Sequence, residues 1–520
     1  MRPALFLALT LLQIPTVPRA LLERPVARAT GIGHAHDAVA ARSPSAQAFY
    51  DQGLAYLHSY VWIEAARAFN QALRADPSLA IAHAQLSLAY TELNAPADAQ
   101  AAIERATALA ARATDHDRRH VELRRLQMTA EAHPADPSAL EAYRAALDAA
   151  LEAFPRDAEL WLLRGNAESP DPADRGQGSV ARSIPFYEKA RALAPSDDAP
   201  LHFLAHAYEN SRNASQALVF GEAYAKAAPA IPHAQHMRGH VLLERGRTSE
   251  AVGAFEAADR IERAFLARTG IPAQDEWHHE HNLDLLGASD AYLGRMQNAQ
   301  AALEEAFRLP TALAVQAFSK RNYPSLLTSR GRYDAARAAA AVLSAHRSSF
   351  ARVAGRIEEA RALMAEHRYR EAADASNAAL HEMRSSPAAG SFASIPFAAV
   401  QAEFLVRTGE RARGEAMMRQ GVQRLRMLTG PDARMDAIFT MEALARAMRD
   451  AGAWDLAAWL AGQMMEFDAG YAGSHFASAL ALEHAGNATG ARQAFAAAAR
   501  LWSSGDSDLP ELQLASRKSR

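Results

Sequence analysis

A repeat of 34 residues runs through much of this 520-residue chain and constrains its fold more than any other feature. In the first complete unit, residues 46–77, small and aromatic residues stand at fixed places. These places are Gly53, Tyr56, Ala65, Phe69 and Ala72, and a shift of 34 residues puts Ser87, Tyr90, Ala99, Ile103 and Ala106 in them. Apolar residues three and four positions apart share one face of a helix, so each unit is predicted to be a pair of amphipathic helices.

Later units keep this register, with Gly165, Ala205 and Gly239 at the small place of the first helix. Small, aromatic, small, aromatic and proline places at a 34-residue period resemble the tetratricopeptide repeat. The resemblance implies an all-α fold, a right-handed superhelical α-solenoid of about 10–11 helix pairs. Small residues let the two helices of a pair approach closely, and each pair would bury its apolar face against its neighbours.

The register also predicts the domain organisation. Residues 45–383 are expected to form an N-terminal array, and residues 395–502 a more degenerate C-terminal array. The Ser-, Pro- and Gly-containing segment 384–394 would separate the two arrays. Residues 30–44 are predicted to be a linker, and residues 503–520 a polar tail.

The N-terminus has the parts of a secretory signal peptide. Arg2 is followed by the almost wholly apolar stretch Ala4–Leu12, which is too short to span a bilayer because a spanning helix needs ~20 residues. Residues 1–29 are therefore predicted to be a signal peptide, cleaved after Ala20 or Ala29, and the mature protein to be periplasmic or secreted. An ordinary disordered N-terminus is the alternative.

Composition excludes several classes of function. The formal net charge is −3, which argues against a nucleic-acid-binding protein with a broad basic surface. The chain has no cysteine, which excludes disulfides, zinc–thiolate sites, iron–sulfur clusters and a thiol nucleophile. Phosphate-binding and hydrolase motifs such as GxxxxGK[ST], GxSxG and HExxH are absent from the sequence. Beyond the N-terminus no stretch reaches 18 uninterrupted apolar residues, so no membrane span is expected.

The distribution of histidine along the chain, by contrast, indicates a functional site. The chain has 20 histidines, so an 80-residue window should hold about three, yet residues 202–281 hold eight. His202 and His206 occupy the fifth and ninth places of one repeat, and His236 and His240 occupy the same places of the next. Residues four apart project from one face of a helix, which is the spacing of a two-histidine metal half-site. Two half-sites are therefore expected on neighbouring first helices.

The next repeat continues the column, with His281 at the second place and Asp284 at the fifth. In tetratricopeptide proteins the second, fifth and ninth places of the first helix line a concave groove, so the resemblance implies that these side chains converge there. The predicted metal ligands are His202, His206, His236, His240, His281 and Asp284, and the predicted groove-binding residues are Asn166, Glu209, Asn210 and His233. Imidazoles with a carboxylate suit Zn, Cu, Fe or Ni.

The phrases HFLAHAYEN, HAQHMRGH and HHEHN also resemble a histidine pattern of an uncharacterised subset of bacterial tetratricopeptide proteins. Arg238-Gly239 stands where that pattern has proline, and Asp284 stands where it has its last histidine. The similarity supports a site without indicating a reaction.

Two functions remain open at this level. The first is an exported scaffold whose groove binds a protein or peptide partner and a transition metal through the histidines. The second is a metal-dependent enzyme with its active site in the same groove, where Asp284 or Glu209 would orient a ligand or act as a base. A groove that is rich in histidine but binds only peptide is the alternative to a metal site.

Overall fold

Every regular element in the described part of the chain is a helix. The computed structural model describes residues 17–169, 179–311, 313, 316–430 and 432–520. The apolar stretch Ala4–Leu12, on which the predicted signal peptide rests, lies outside these residues. The chain forms two compact units. The first extends to Arg245 and includes Glu256–Glu276, and the second contains Gly246–Phe255 and Trp277–Arg520.

The first unit contains twelve α-helices among its described residues before α13 begins. They are α1 Arg19–Leu22, α2 Pro44–His58, α3 Trp62–Ala75, α4 Ala80–Glu92, α5 Pro96–Ala110, α6 Asp115–Ala132, α7 Pro137–Ala153, α8 Ala158–Asn166, α9 Ile184–Leu193, α10 Ala199–Asn210, α11 Ala214–Ala227 and α12 Pro232–Glu244. A short 3-10 helix, Ala181–Ser183, precedes α9. Helix α13, Thr248–Thr269, has residues in both units, and a second 3-10 helix, Ala273–Asp275, follows it.

The second unit continues with fourteen α-helices in its described part. They are α14 Trp277–Tyr292, α15 Met296–Arg308, α16 Gln316–Ser319, α17 Asn322–Ser329, α18 Tyr333–Ser344, α19 Ser349–Ala365, α20 Tyr369–Ser385, α21 Pro387–Arg407, α22 Arg411–Leu425, α23 Ala433–Asp450, α24 Trp454–Phe467, α25 Ala472–His484, α26 Ala488–Leu501 and α27 Pro510–Lys518.

Consecutive helices pack as antiparallel pairs, and each pair packs on the next. In the first unit the pairs are α2–α3, α4–α5, α6–α7, α8–α9 and α10–α11; in the second they are α14–α15, α17–α18, α19–α20, α21–α22, α23–α24 and α25–α26. The predicted all-α solenoid of helix pairs is therefore confirmed.

The small places of the repeat lie where two helices of a pair touch. A Cβ atom on Gly53 of α2 would stand 2.4 Å from Cε1 of Phe69 on α3. At Gly165 of α8 it would stand 2.4 Å from Cε1 of Tyr187 on α9. The aromatic ring of the second helix thus fills the space that the missing side chain leaves, which is the close approach predicted from the repeat.

The turn between paired helices uses one left-handed residue at a fixed place. Gly246 and Gly294 have φ angles of 69° and 78° there. Tyr60 and Asn94, which are 34 residues apart, have φ angles of 59° and 54° at the same place. Glycine and asparagine tolerate this region, but a tyrosine does so rarely. Tyr60 is therefore held in this conformation by its surroundings.

The N-terminal segment, residues 17–43, packs against the first unit. Leu21 and Leu22 of α1 are 6% and 1% exposed, and the Leu21 carbonyl accepts a hydrogen bond from Nε of buried Arg67 at 2.8 Å. Farther along, the Gly31 carbonyl accepts from the Ala230 amide at 2.7 Å. The residues predicted as a linker, 30–44, have little regular structure, but hydrogen bonds of this kind anchor them.

Two other boundaries differ from those read from the sequence. Within 384–394, the expected separator, only Ser386 lies between α20 and α21, because Ala389 and Ala393 join a hydrophobic core. Residues 503–520, the expected polar tail, end in α27, where Leu509 and Ala515 pack into another core. Apolar residues spaced for one helix face explain both differences.

Helix α21 also bears on the membrane question. By length and composition it could cross a bilayer, with a mean hydropathy of 1.3 over its most apolar window. In this structure 56% of that window is buried, and its residues pack against Phe318 and other side chains of the second unit's core.

We expect Gly53→Ala to destabilise the protein, because the new methyl group would overlap the Phe69 ring. Overpacking of this kind costs about 1–3 kcal/mol. Gly462→Ala is the matched control, since this helical glycine is exposed and has no neighbour within 4 Å of an added Cβ. Alanine there should be neutral or stabilising by up to about 1 kcal/mol. Thermal unfolding followed by circular dichroism measures both, and equal Tm values would contradict the packing role of Gly53.

Candidate metal centre

Two neighbouring first helices bring six polar side chains together inside the first unit. Helix α10 contributes His202, His206 and Glu209, and α12 contributes the other three histidines. The exposed fractions of His202, His206, His233, His236, His240 and Glu209 lie between 0% and 4%. The sequence analysis placed these residues along a concave groove. In the structure they are buried between packed helices and do not line an accessible groove.

Three imidazoles meet at their Nε2 atoms. His202 Nε2 lies 3.0 Å from His233 Nε2 and 3.1 Å from His206 Nε2. One ring nitrogen of each residue lies within 4.8 Å of the others. Ligands about 2.0–2.1 Å from a tetrahedral Zn²⁺ ion are separated by about 3.3 Å, so the rings stand close to the spacing of a metal site. This cluster could hold a metal ion.

The orientation of His202 is set from its other nitrogen. Its Nδ1 donates a hydrogen bond to the carbonyl oxygen of His58, at the end of α2, over 2.6 Å. A neutral ring that carries its proton on Nδ1 presents a lone pair at Nε2. Burial, and then the nearby His206, lower the pKa of His202 well below its usual value. The ring is therefore neutral, as a metal ligand must be.

Glu209 links this trio to a second histidine pair. Nε2 of His240 lies 2.7 Å from Nε2 of His236. The Glu209 carboxylate accepts from His240 Nδ1 at 3.3 Å and lies 3.7 Å from His206 Nδ1. Burial alone would raise the pKa of this carboxyl, but His240 and His206 lower it to about 2. An ionised glutamate thus directs the Nε2 atoms of His206 and His240 away from itself, toward the other rings, as in carboxylate–histidine–metal triads.

Aromatic rings enclose the trio. Tyr224 stacks on His202 with centroids 4.8 Å apart and planes at 12°. Tyr60, the left-handed turn residue, packs on His202 and His233 with centroid distances of 4.6 and 5.2 Å. Strained backbone conformations persist where the side chain has a function. Here the Tyr60 side chain shields the imidazoles from water.

The other predicted residues lie elsewhere. Asn166 accepts a hydrogen bond from the Tyr187 hydroxyl at 2.7 Å, within the α8–α9 pair. Asn210 ends α10, directly after Glu209. A binding role for Asn166 and Asn210 stays a prediction. So does the metal-ligand role predicted for His202, His206, His236 and His240.

His281 and Asp284 belong to the second unit. There, His281 stacks on Trp277 at a centroid distance of 6.1 Å. The two carboxylate oxygens of Asp284 accept hydrogen bonds from Asn322 Nδ2, at 3.0 and 2.9 Å. Burial, and then Asp432, raise the pKa of the Asp284 carboxyl well above its usual value. The metal-ligand role of both residues stays a prediction.

Sequence reasoning missed two features of the trio. His233 was predicted to bind in the groove, whereas its Nε2 is one of the three converging nitrogens. The enclosing role of Tyr60 was not foreseen, although a tyrosine at the turn place that Asn94 occupies one repeat later was a signal.

Comparison with known proteins gives no family assignment by sequence, because no family model and no curated protein matches the chain. Among solved structures it is similar to yeast Tom70, with a TM-score of 0.35 and 12% identity over 91% of this chain and 94% of that one. It is also similar to an IFIT1 monomeric mutant with Gppp-AAAA, with a TM-score of 0.39 and 12% identity over 81% and 90% of the chains. The TPR domain of P58(IPK) aligns with a TM-score of 0.22 and 13% identity over 91% and 98%. By its own 34-residue register and paired helices, the chain is a tetratricopeptide-like helical repeat protein.

Proposed function

We propose that this protein is an exported tetratricopeptide-like scaffold that retains a transition-metal ion in its histidine cluster and binds a protein or peptide partner. The observation that carries the metal part is the convergence of the Nε2 atoms of His202, His206 and His233. Three imidazoles suit Zn, Cu, Fe or Ni, and a tetrahedral arrangement suits Zn best.

Hydrogen bonding alone satisfies the trio poorly. His202 donates from Nδ1, so its Nε2 has a single lone pair to offer. Both His206 Nε2 and His233 Nε2 lie within hydrogen-bond distance of that lone pair, but His206, whose Nδ1 faces the Glu209 carboxylate, presents a lone pair there as well. A metal ion at the centre would accept a lone pair from each ring and remove the unfavourable contact between two lone pairs.

Burial favours a retained ion over a catalytic one. Catalysis needs an open coordination position that substrate can reach. The three histidines are at most 3% exposed, and Tyr60 and Tyr224 pack on their rings. This environment supports a metal that rigidifies the packing of α10 on α12. Buried side chains cannot contact a partner protein. We therefore assign partner binding to the exposed helix faces of the array.

Export is the second part of the proposal, and the packing of α1 bears on the cleavage point. Cleavage after Ala29 would remove Leu21 and Leu22, which are buried, and would leave the guanidinium of Arg67 without the Leu21 carbonyl. Cleavage after Ala20 would keep all three residues in the chain, although it would remove the first two residues of α1. The structure therefore supports the earlier of the two predicted positions.

Mass spectrometry of protein from the native host tests export. We expect an N-terminus at Leu21 in the exported fraction. An intact Met1 in protein recovered only from the cytosol would contradict export, and an N-terminus at Thr30 would contradict the packing argument.

Metal analysis of the full-length protein without a His-tag tests the cluster. After incubation with Zn²⁺ and removal of the excess, the double variant His202→Gln/His233→Gln should retain one equivalent less than the wild type, because two of its three ligands are gone. Exposed His381, on α20, provides the matched control, and His381→Gln should leave the content unchanged.

Because the cluster is buried, the double variant needs a check on folding by circular dichroism. Glu209→Gln serves as a milder variant, since it keeps every imidazole and removes only the charge that orients two of them. Loss of such an orienting partner typically weakens metal affinity about 10–100-fold. Equal zinc content in the wild type and in a folded double variant would overturn the site.

A further inference from the structure

A second group of histidines and carboxylates lies in the first unit, apart from the residues considered above. His116 and His120 are one turn apart on α6. Asp157 directly precedes α8, and Asp37 comes from the N-terminal segment. Three parts of the chain thus contribute to one cluster.

The ligand atoms of this group converge. His116 Nε2 lies 3.3 Å from Asp37 Oδ1 and 3.1 Å from Asp157 Oδ2. His120 Nε2 lies 2.9 Å from the same Asp157 oxygen. Side-chain exposure is 2% for His120, 7% for Asp157, 9% for Asp37 and 18% for His116. The cluster is therefore almost closed, and the ring of His116 is its most accessible part.

Three of the four proposed ligands are oriented by a further contact. Asp157 caps α8, since its Oδ1 accepts the Leu160 amide at 3.1 Å, and this leaves Oδ2 for the histidines. His116 Nδ1 lies 3.0 Å from a carboxylate oxygen of Asp117, which places the proton on Nδ1 and turns Nε2 inward. The second oxygen of Asp37 accepts from the Tyr50 hydroxyl at 3.3 Å.

We propose that Asp37, His116 and His120, with Asp157 as a fourth donor, form a second metal site, which takes a divalent transition-metal ion between two nitrogens and two oxygens. Three of the separations in this set are 2.9–3.3 Å, near the ~3.3 Å between ligands about 2.0–2.1 Å from a tetrahedral Zn²⁺ ion, and the donor atoms of Asp37, His116 and His120 lie within 4.8 Å of one another. Three carboxylates, counting Asp117, surround two imidazoles, so a divalent cation offsets most of the negative charge. Zn²⁺ fits this donor set best.

A metal here would fasten the N-terminal segment to the repeat array. Asp37 is the one proposed ligand from that segment, and the other three come from α6 and the start of α8. Binding would therefore hold residues near Asp37 more tightly. Exposed Arg28, in the same segment, is a tryptic site that reports on this.

The competing state is an ion-pair cluster without metal. Burial by itself lowers the pKa of His116, but its contacts with Asp117, Asp157 and Asp37 raise it to about 12. A protonated His116 would satisfy the same carboxylates. Metal content distinguishes the two states, because the ion-pair cluster retains none.

Titration of the full-length protein with Zn²⁺, and with Co²⁺ as a spectroscopic probe, tests the proposal. The double variant His116→Gln/His120→Gln should retain one metal equivalent less than the wild type. It should also lose part of the intense visible absorption of four-coordinate Co²⁺. His133→Gln is the matched control, since His133 follows the same helix and is exposed. It should bind as the wild type does.

Asp157→Asn covers the case in which the double variant does not fold. Asparagine caps a helix about as well as aspartate, so α8 keeps its cap while the site loses an anionic ligand. This variant should bind Zn²⁺ at least tenfold more weakly. In the wild type, Zn²⁺ should slow tryptic cleavage at Arg28, and in Asp157→Asn it should slow it less.

The outcomes separate this site from the histidine trio. His116→Gln/His120→Gln should lose one metal equivalent both with and without replacement of His202 and His233. In that case the second site binds metal independently of the histidine trio. If Asp157→Asn and the folded histidine variant both retain the wild-type metal content, the proposal is overturned and the cluster is a set of ion pairs.

Discussion

The contact between a small residue on one helix and an aromatic ring on its partner is the interaction on which the array depends. A Cβ at Gly53 or Gly165 would overlap Phe69 or Tyr187, so these glycines set how closely paired helices approach. Because packed interiors tolerate little change in volume, this approach also fixes the spacing of successive pairs. That spacing places α10 beside α12, where the rings of His202 and His233 meet.

Burying six polar side chains in such an array is costly unless each finds a partner. The structure provides partners in a chain: the His58 carbonyl holds His202, and Glu209 holds His206 and His240. These contacts use the Nδ1 atoms and leave the Nε2 atoms facing each other. A cluster of this geometry could hold a metal ion.

The N-terminal segment joins features that lie far apart in the chain. Its Gly31 carbonyl accepts from the Ala230 amide, just before α12, and its His34 carbonyl accepts from the Asp198 amide, just before α10. Asp37 then reaches the histidines of α6. A segment with little regular structure thus contacts the starts of the two helices that carry the histidine trio, and it supplies one carboxylate to the second cluster.

The sequence by itself determined the class of fold, because a 34-residue period specifies which face of each helix is apolar and where pairs touch. It also determined that His202 and His206, and likewise His236 and His240, share a helix face, since that follows from a spacing of four. Tertiary structure alone decided that these faces are buried, that His233 contributes a nitrogen to the trio and that Tyr60 covers it, whereas Glu209 was already expected beside the histidines. It also joined Asp37 and Asp157 to His116. Spacing along the chain fixes neighbours within one helix, whereas contacts between distant residues and exposure to water depend on which other segment packs over that helix.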